Sequence, residues 1–230
     1  MTVALVPAAG RGERLGSAGP KAMVSLHGLP LVAHAVRGLL AAGCVRHVVV
    51  AAPVDHQAEM AAALSAFEPV SVVPGGADRT ASVRLALLAA LEHVPDAKIV
   101  LVHDAARAFT PPALVRSVTE AVAAGAPAVI PVLPVTDTVK RVDADGIVVD
   151  TPSRADLRAV QTPQGFAIDV LRRAYEAADS AVFSATDDAG LVERIGVRVH
   201  TVPGDVAAMK ITTPFDLAVA EAVFTVRAEP

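Results

Sequence analysis

The chain has 230 residues, enough for one large domain or two small ones, and 53% are hydrophobic, so it can bury a substantial core. Its net charge of −4 argues against nucleic acid or another partner held by bulk positive charge. The single cysteine, Cys44, excludes an intramolecular disulfide and a cysteine zinc cluster. No run approaches the ~20 apolar residues of a membrane span, and the apolar run before Pro7 is too short for a signal peptide, so we expect a cytoplasmic protein.

Short β-branched runs alternate along the chain with alanine-rich helical stretches. Strands are predicted at residues 3–6, 47–52, 70–73, 98–102 and 128–132, and helices at residues 31–41, 55–66, 79–93 and 112–123. Because the strands are apolar throughout rather than alternating, we expect a Rossmann-like α/β three-layer sandwich with a mostly parallel sheet. Ligands of such sheets bind at the carboxyl ends of the strands, so motifs that directly follow a strand are candidate site residues.

A break in this alternation predicts a protruding β-hairpin arm at about residues 134–160. Residues 135–142 and 147–150 flank the turn Asp143-Ala-Asp-Gly146, and an Asp–Gly step is typical of hairpins. Because a two-stranded arm is marginally stable alone in water, we expect it to pack on a second copy of the chain and form a homodimer. A hairpin folded back on its own domain is the alternative.

Beyond the arm the chain returns to the earlier pattern. Helices are predicted at residues 168–178 and 213–222, and a strand at residues 197–202. No internal repeat or linker divides the chain, so residues 1–230 are predicted to form a single domain.

The first candidate site is the glycine-rich segment at residues 7–16, which leaves the first strand. Its glycines and alanines let backbone N–H groups approach a phosphate closely. The dinucleotide fingerprint is excluded because Leu15 stands where its third glycine is needed, and a Walker A loop because Lys21 is flanked by proline and alanine. What remains is a loop with cations at Arg11, Arg14 and Lys21, which suits phosphoryl transfer. An exposed loop with ordinary surface charges is the alternative.

The second candidate site, His103-Asp-Ala-Ala-Arg107, directly follows the predicted strand at residues 98–102. Asp104 is placed there to approach Mg²⁺ directly or through water, because magnesium keeps several waters and shares its other positions with phosphates. A helix N-cap is the alternative for Asp104. Arg107 is close enough in sequence to hold an acceptor phosphate, and His103 is more typical of a packing histidine than of a base.

The third candidate site lies between the strand at residues 70–73 and the helix at residues 79–93. Gly75 and Gly76 expose backbone groups to a planar ring, and Ser82 lies one helical turn after Arg79. This pattern fits recognition of a nucleobase edge. A plain glycine turn before an N-capped helix is the alternative.

Seven short motifs occur together and in order along nearly the whole chain. They are Pro7-Ala-Ala-Gly-x-Gly-x-Arg…Pro20-Lys21, Gly75-Gly76…Arg79-x-x-Ser82, His103-Asp-Ala-Ala-Arg107, Asp137-Thr-x-Lys140, Thr162-Pro-Gln164, Thr186-Asp187 and Lys210-Ile-Thr212. With them the chain resembles the 2-C-methyl-D-erythritol 4-phosphate cytidylyltransferases of the non-mevalonate isoprenoid pathway. The resemblance implies a nucleotide-diphospho-sugar transferase type of fold, and Mg²⁺-dependent transfer of CMP from CTP to methylerythritol phosphate with release of pyrophosphate.

The resemblance also implies a role for each matching residue. Contacts to CTP would come from Ala8, Ala9, Gly10, Gly12, Gly76, Arg79, Ser82 and Ala105. Catalysis would fall to Arg14, Lys21, Asp104 and Lys210, with Asp104 also assisting the metal. The acceptor would be bound by Arg107, Thr138, Arg154, Thr162 and Thr186, and Arg154 would reach it from the arm of the neighbouring subunit.

Departures from the family pattern leave alternatives open. Pro152 and Ser153 stand where valine and aspartate are usual, so Arg158 is an alternative to Arg154 as the arm arginine. A ribitol-5-phosphate cytidylyltransferase would share the nucleotide loop and the Asp-Ala-Ala-Arg motif, and it is the alternative function. A catalytically silent nucleotide-binding regulator is a further interpretation, against which the intact cationic residues argue.

Overall fold

The computed structural model describes residues 1–10, 12, 15, 19–179 and 186–228, which form twelve strands and seven α-helices. The strands are β1 (Thr2–Pro7), β2 (Ser25–Leu26), β3 (Leu29–Pro30), β4 (Val45–Ala52), β5 (Val70–Pro74), β6 (Ile99–Val102), β7 (Ala128–Pro134), β8 (Arg141–Val142), β9 (Val148–Asp150), β10 (Arg158–Val160), β11 (Gln164–Ala167) and β12 (His200–Pro203). The helices are α1 (Leu31–Ala41), α2 (Gln57–Leu64), α3 (Arg79–His93), α4 (Pro112–Ala123), α5 (Ile168–Asp179), α6 (Asp188–Arg194) and α7 (Pro214–Ala228). Within these ranges, no helix combines the length and the apolar character that crossing a membrane requires.

One sheet of eight strands organises the molecule. Its order is β10-β7-β11-β6-β1-β4-β5, with β12 also paired to β7. β1 runs parallel to both β4 and β6, and β4 runs parallel to β5. The predicted α/β fold with a mostly parallel sheet is confirmed.

Both faces of the central strands are buried under helices, which explains the continuous apolar runs of these strands. On β1, Val3 and Leu5 pack into one core with residues of α3, α5 and α6. Ala4 and Val6, which alternate with them, pack into the other core with residues of α1, α2 and α4. Because successive side chains of a strand point to opposite faces, a strand at the centre of three layers has no polar face to show in its sequence.

The centre of the sheet holds a strand that the sequence analysis did not predict. β11 lies antiparallel between β6 and β7. Its sequence, Gln-Gly-Phe-Ala, has a single large apolar side chain, Phe166, so it lacks the pattern of a buried strand. Gly165 is required by close packing, because a Cβ there would lie 2.6 Å from the Val118 Cγ1 atom of α4. The strand β10 and the helix α6 were not predicted either.

Several element boundaries differ from the prediction. The helix expected at residues 55–66 is a 3₁₀ turn, Val54–His56, followed by the shorter α2. The strand expected at residues 197–202 begins only at His200. The last helix begins at Pro214 because Thr213 and Asp216 form a reciprocal cap, in which the Thr213 N–H donates to Asp216 Oδ2 at 2.7 Å and the Asp216 N–H donates to Thr213 Oγ1 at 3.2 Å.

The predicted arm is present as a hairpin that is shorter than expected. β8 and β9 pair with each other as a separate two-stranded sheet. The turn closes through a 3.0 Å bond from the Asp143 N–H to the Ile147 carbonyl. The apolar side chains of Val142, Ile147, Val148 and Val149 are all more than half exposed. The arm therefore presents an apolar surface rather than burying it.

Candidate nucleotide-binding and catalytic site

A cleft of about 540 Å³ opens at the carboxyl edge of the sheet, where the loops after β1, β5 and β6 meet. β1 and β6 end side by side, because Leu5 pairs with Val102 and the His103 N–H donates to the Leu5 carbonyl at 2.9 Å. The lining includes these residues predicted from the sequence: Ala8, Ala9, Gly10, Gly12, Lys21, Gly76, Arg79, Ser82, Asp104, Ala105 and Lys210. Residues far apart in sequence thus meet at the edge where parallel sheets bind ligands.

Backbone hydrogen bonds anchor the glycine-rich loop near its start, at Ala8, and at Gly10. The Ala8 N–H donates to the Ala51 carbonyl at 2.8 Å, and the Lys21 N–H donates to the Gly10 carbonyl at 3.1 Å. Gly12 has a φ of 75°, a conformation that favours glycine. The loop therefore presents small residues and backbone to a ligand. Arg11 and Arg14, the other cations predicted here, lie outside the described residues.

The loop after β5 has both of the features that the sequence analysis considered for it. Asp78 caps α3 by accepting a 2.7 Å hydrogen bond from the Ala81 N–H. Gly76 has no room for a side chain, because a Cβ would lie 2.4 Å from the Cβ of Ala81. The buried Ser82 hydroxyl accepts from the Gly76 N–H at 3.1 Å and donates to the Asp78 carbonyl at 2.8 Å. Ser82 thus fixes the loop shape, and a direct contact to a base remains a prediction.

Asp104 lies two residues beyond β6 and is surrounded by cationic side chains. Its Oδ2 atom lies 2.8 Å from Lys210 Nζ and 3.9 Å from Arg107 Nε, and its Oδ1 atom lies 3.6 Å from Arg79 Nη2. Burial alone would raise the pKa of Asp104, but Lys210, Arg79 and Arg107 together lower it to about 2. The carboxylate is therefore ionised at neutral pH.

A magnesium site made of protein ligands alone does not fit this geometry. Among the described residues, no group of three or more histidine, cysteine, aspartate or glutamate side chains is placed to hold a metal ion. The one predicted metal-contacting residue, Asp104, already has a cation at each carboxylate oxygen. The arrangement fits an ion carried mainly by phosphates and waters, which is how magnesium usually binds in nucleotide sites.

Thr162, a predicted acceptor residue, holds the loop that carries Asp104 in place. The buried Thr162 Oγ1 atom accepts a 3.0 Å bond from the Asp104 N–H and lies 3.0 Å from His103 Nδ1. Burial lowers the pKa of His103 to about 4, so this histidine is neutral at physiological pH. His103 is a packing histidine, as the sequence analysis favoured. Thr162 positions the backbone of Asp104, and its contact to an acceptor remains a prediction.

Arg107, also predicted to bind the acceptor, makes hydrogen bonds within the protein. Its Nη1 atom donates to the Ala208 carbonyl at 2.6 Å, and its Nη2 atom donates to the Val160 carbonyl at 3.2 Å. The guanidinium is buried and ties the Asp104 loop to β10 and to the segment that carries Lys210. Its role toward an acceptor phosphate remains a prediction.

The other predicted acceptor residues lie outside the cleft lining. Thr138 and Thr186 are exposed. Arg154 is exposed and donates through Nη1 to the Thr136 carbonyl at 2.6 Å. Its alternative, Arg158, donates to the carbonyls of Ala155 and Leu157 at 2.8 and 2.7 Å. One chain therefore brings the residues predicted to bind the nucleotide together in the cleft, whereas these predicted acceptor residues are not part of its lining.

One buried carboxylate beside the cleft, that of Asp188, was not predicted from the sequence. Asp188 Oδ2 lies 2.7 Å from Arg79 Nη1, and the Tyr175 hydroxyl donates to Asp188 Oδ1. The only available signal was the position of Asp188 directly after the Thr186-Asp187 motif. Nothing in the local pattern indicates that a residue at the start of α6 reaches α3.

Comparison with known proteins decides between the families that share this fold. A family model described as IspD, 2-C-methyl-D-erythritol 4-phosphate cytidylyltransferase, matches residues 2–226. The chain belongs to this family. The resemblance inferred from the seven motifs is confirmed.

Named relatives and solved structures of the family match the chain over nearly its whole length. The 2-C-methyl-D-erythritol 4-phosphate cytidylyltransferase of Saccharopolyspora erythraea is 64% identical over 96% of this chain and 98% of that protein. Its counterpart in Nocardia farcinica is 58% identical over 98% of this chain and 95% of that protein. The crystal structure of the 2-C-methyl-D-erythritol 4-phosphate cytidylyltransferase from Thermus thermophilus superposes with a TM-score of 0.77. The two sequences are 36% identical, and the match covers 96% of this chain and 97% of that chain.

Proposed function

We propose that the cleft transfers CMP from CTP to 2-C-methyl-D-erythritol 4-phosphate, forming 4-diphosphocytidyl-2-C-methyl-D-erythritol and pyrophosphate in isoprenoid precursor biosynthesis. Family membership and the named relatives support this acceptor over ribitol 5-phosphate. The observation that carries the chemistry is the placement of Lys21, Arg79 and Lys210 around a glycine-rich loop at the carboxyl edge of the sheet. Cations beside a backbone that can approach phosphates are what phosphoryl transfer requires.

The transfer consists of bringing two polyanions together. An oxygen of the acceptor phosphate attacks the α-phosphorus of CTP, and the bond from that phosphorus to the bridging oxygen breaks as pyrophosphate leaves. Because the attacking phosphate is already an anion, no general base is needed. Catalysis then rests on cations that stabilise the charge of the transition state. We assign that role to Lys21 and Lys210, with Arg14 as the third cation implied by the family resemblance.

The nucleotide would lie along the two glycine-containing loops. The triphosphate would contact the backbone of Ala8, Ala9, Gly10 and Gly12 in the loop after β1, where small residues line the cleft. The base would lie against Gly76, whose backbone lines the cleft. Ala105, which also lines the cleft, would close the site beside β6.

Asp104 would aim Lys210 rather than act alone. Lys210 Nζ lies 2.8 Å from Asp104 Oδ2, yet its side chain is 45% exposed, so the ammonium can turn toward a phosphate in the cleft. Bound magnesium would neutralise part of the triphosphate charge, and Asp104 would contact it through water. We therefore propose that activity depends on Mg²⁺.

The arm would form a homodimer and complete the acceptor side. The four exposed apolar residues of the arm support this proposal. An isolated two-stranded hairpin is only marginally stable, and an exposed apolar surface is typical of an interface. Arg154 of one subunit, or Arg158 in its place, would reach the acceptor of the other, where Thr138, Thr162 and Thr186 offer hydroxyls. We also propose a cytoplasmic location, with which the single free cysteine is compatible.

Replacing the cleft lysines tests this assignment. We expect Lys21→Ala and Lys210→Ala each to lower kcat by ~10²–10³, because each removes a cation that stabilises the transition state. The measurement is pyrophosphate release under saturating CTP and methylerythritol phosphate. Lys98→Ala is the matched control, because Lys98 is exposed at the opposite end of β6.

Two results would contradict the proposal. Near-normal turnover in both cleft variants would remove the lysines from the mechanism. Tight CTP binding by the unmodified protein with no pyrophosphate release would support the interpretation as a silent nucleotide-binding regulator.

A further inference from the structure

Arg79 is a bridge between two carboxylates, only one of which lines the cleft. Its Nη1 atom lies 2.7 Å from Asp188 Oδ2, and its Nη2 atom lies 3.6 Å from Asp104 Oδ1. Asp188 is 0% exposed and is absent from the cleft lining. The two nitrogens of one rigid, planar guanidinium thus link a buried charge behind the site to the central carboxylate inside it.

Asp188 is itself held in a fixed position. The Tyr175 hydroxyl donates to its Oδ1 atom, and the backbone around it is fixed by Gln164 of β11. Gln164 Nε2 donates to Asp187 Oδ2 at 2.8 Å, and Gln164 Oε1 accepts from the Ala189 N–H at 3.0 Å. Because Gln164 pairs with Val102 at the end of β6, the start of α6 is fixed to the strand that leads to Asp104.

The arrangement does more than satisfy a buried charge. A buried ion pair is weak evidence for stability, since the cost of removing both charges from water offsets their attraction. Here the pair fixes the direction of Arg79, and the second nitrogen of Arg79 faces Asp104 Oδ1 while Lys210 faces Oδ2. Each oxygen of Asp104 therefore has its own cation, which sets the rotation of the carboxylate.

We propose that Asp188 is a positioning residue for CMP transfer. With Tyr175 it fixes Arg79; Arg79 orients the Asp104 carboxylate, and Asp104 in turn aims the Lys210 ammonium. The inference rests on the catalytic role proposed above for Asp104 and Lys210. It also adds to the expected role of Arg79, which acts through Asp104 as well as lining the cleft.

The first test is Asp188→Asn, which removes the charge at nearly constant volume. We expect kcat to fall about tenfold, a typical coupling between neighbouring charged groups, while the KM for CTP changes less than about twofold. Tyr175→Phe removes only the hydroxyl donor and is expected to shift kcat in the same direction by a smaller factor. If Asp188→Asn does not fold, Tyr175→Phe alone tests the inference. Glu176→Gln is the matched control, since Glu176 lies next to Tyr175 on α5 and forms an exposed pair with Arg172.

A double-mutant cycle with Asp104→Asn separates positioning from a merely structural role. If Asp188 acts through Asp104, adding Asp188→Asn to Asp104→Asn lowers kcat little further, although it still lowers Tm. Additive losses of kcat would overturn the inference. Normal turnover in Asp104→Asn alone would overturn the proposed role of Asp104 and this inference with it, so the two failures are distinguishable.

Discussion

At the residue scale, the cleft is organised around one carboxylate, that of Asp104. Asp104 is the central acid of the cleft, and three cationic side chains lie within 4 Å of it. Cations gathered at this edge of the sheet suit a site for a triphosphate and an acceptor phosphate. The proposed role of Asp104 is to aim Lys210 from this position.

Three buried or half-buried histidines make stability depend on pH. Burial lowers the pKa of His34, His47 and His103 below the ordinary value of 6.5, and that of His103 to about 4. Between pH 4 and 6.5 the folded state binds fewer protons than the unfolded state, so their contribution is complete above pH 6.5 and is lost as the pH falls. The full His103 shift corresponds to about 3 kcal/mol.

Urea unfolding at pH 7.5, 6 and 5 measures this effect. We expect the free energy of unfolding to fall at each step, and His103→Asn to flatten the dependence while lowering stability at pH 7.5. An unchanged slope in His103→Asn would show that this histidine is not the group responsible. His56→Asn is the control, because the His56 side chain is 40% exposed and its Nδ1 atom lies 3.1 Å from the exposed Glu59 carboxylate.

At the element scale, the sequence predicts best the elements whose surroundings are uniform. β1 and β4 are buried on both faces, so their composition alone identifies them. β11 is different, because a glutamine and a glycine occupy the centre of the sheet for reasons that lie elsewhere in the chain. Gln164 bonds to Asp187 and Ala189, and Gly165 makes room for Val118.

The same distinction applies to the site. The glycine loops and Asp104 could be predicted because each follows a strand in a chemically recognisable motif. The contact between Arg79 and Asp188 could not, because it joins α3 to the start of α6 and has no local signature. Likewise, the sequence could not show that the Arg107 guanidinium donates its hydrogen bonds to the carbonyls of Ala208 and Val160.

The arm provides a matched pair of arginines for testing the acceptor side. We expect Arg154→Ala to raise the KM for methylerythritol phosphate at least about tenfold while leaving the KM for CTP nearly unchanged, because a lost charge-assisted bond costs roughly 1.5–3 kcal/mol. Arg158→Ala is the comparison, measured in the same steady-state assay. A larger effect of Arg158→Ala would assign the contact to that arginine, and equal effects on both substrates would indicate structural damage.

Mixing variants tests whether this arginine acts across a dimer. A subunit with Arg154→Ala keeps an intact cleft, and a subunit with Lys210→Ala keeps an intact arm. If the arm reaches the neighbouring cleft, mixed dimers regain one complete site and activity returns after subunit exchange. Absence of recovery, with exchange verified by sedimentation of differently labelled subunits, would contradict the proposed dimer arrangement.

At the scale of the whole molecule, the sheet brings distant motifs together at one edge. The loops after β1, β5 and β6 meet because parallel strands place their carboxyl ends side by side, and the segment before α7 returns to supply Lys210. The proposed nucleotide side of the reaction thus lies within one chain, and the proposed acceptor side extends to the arm of a second chain.

Pyrophosphate release from CTP tests the central claim most directly, measured with Mg²⁺ and with methylerythritol phosphate or ribitol phosphate as acceptor. We expect release with methylerythritol phosphate only, and its loss when Mg²⁺ is removed by chelation. Release with ribitol phosphate alone would contradict the proposed acceptor while keeping the nucleotide site, and no release with either acceptor would contradict catalysis by this cleft.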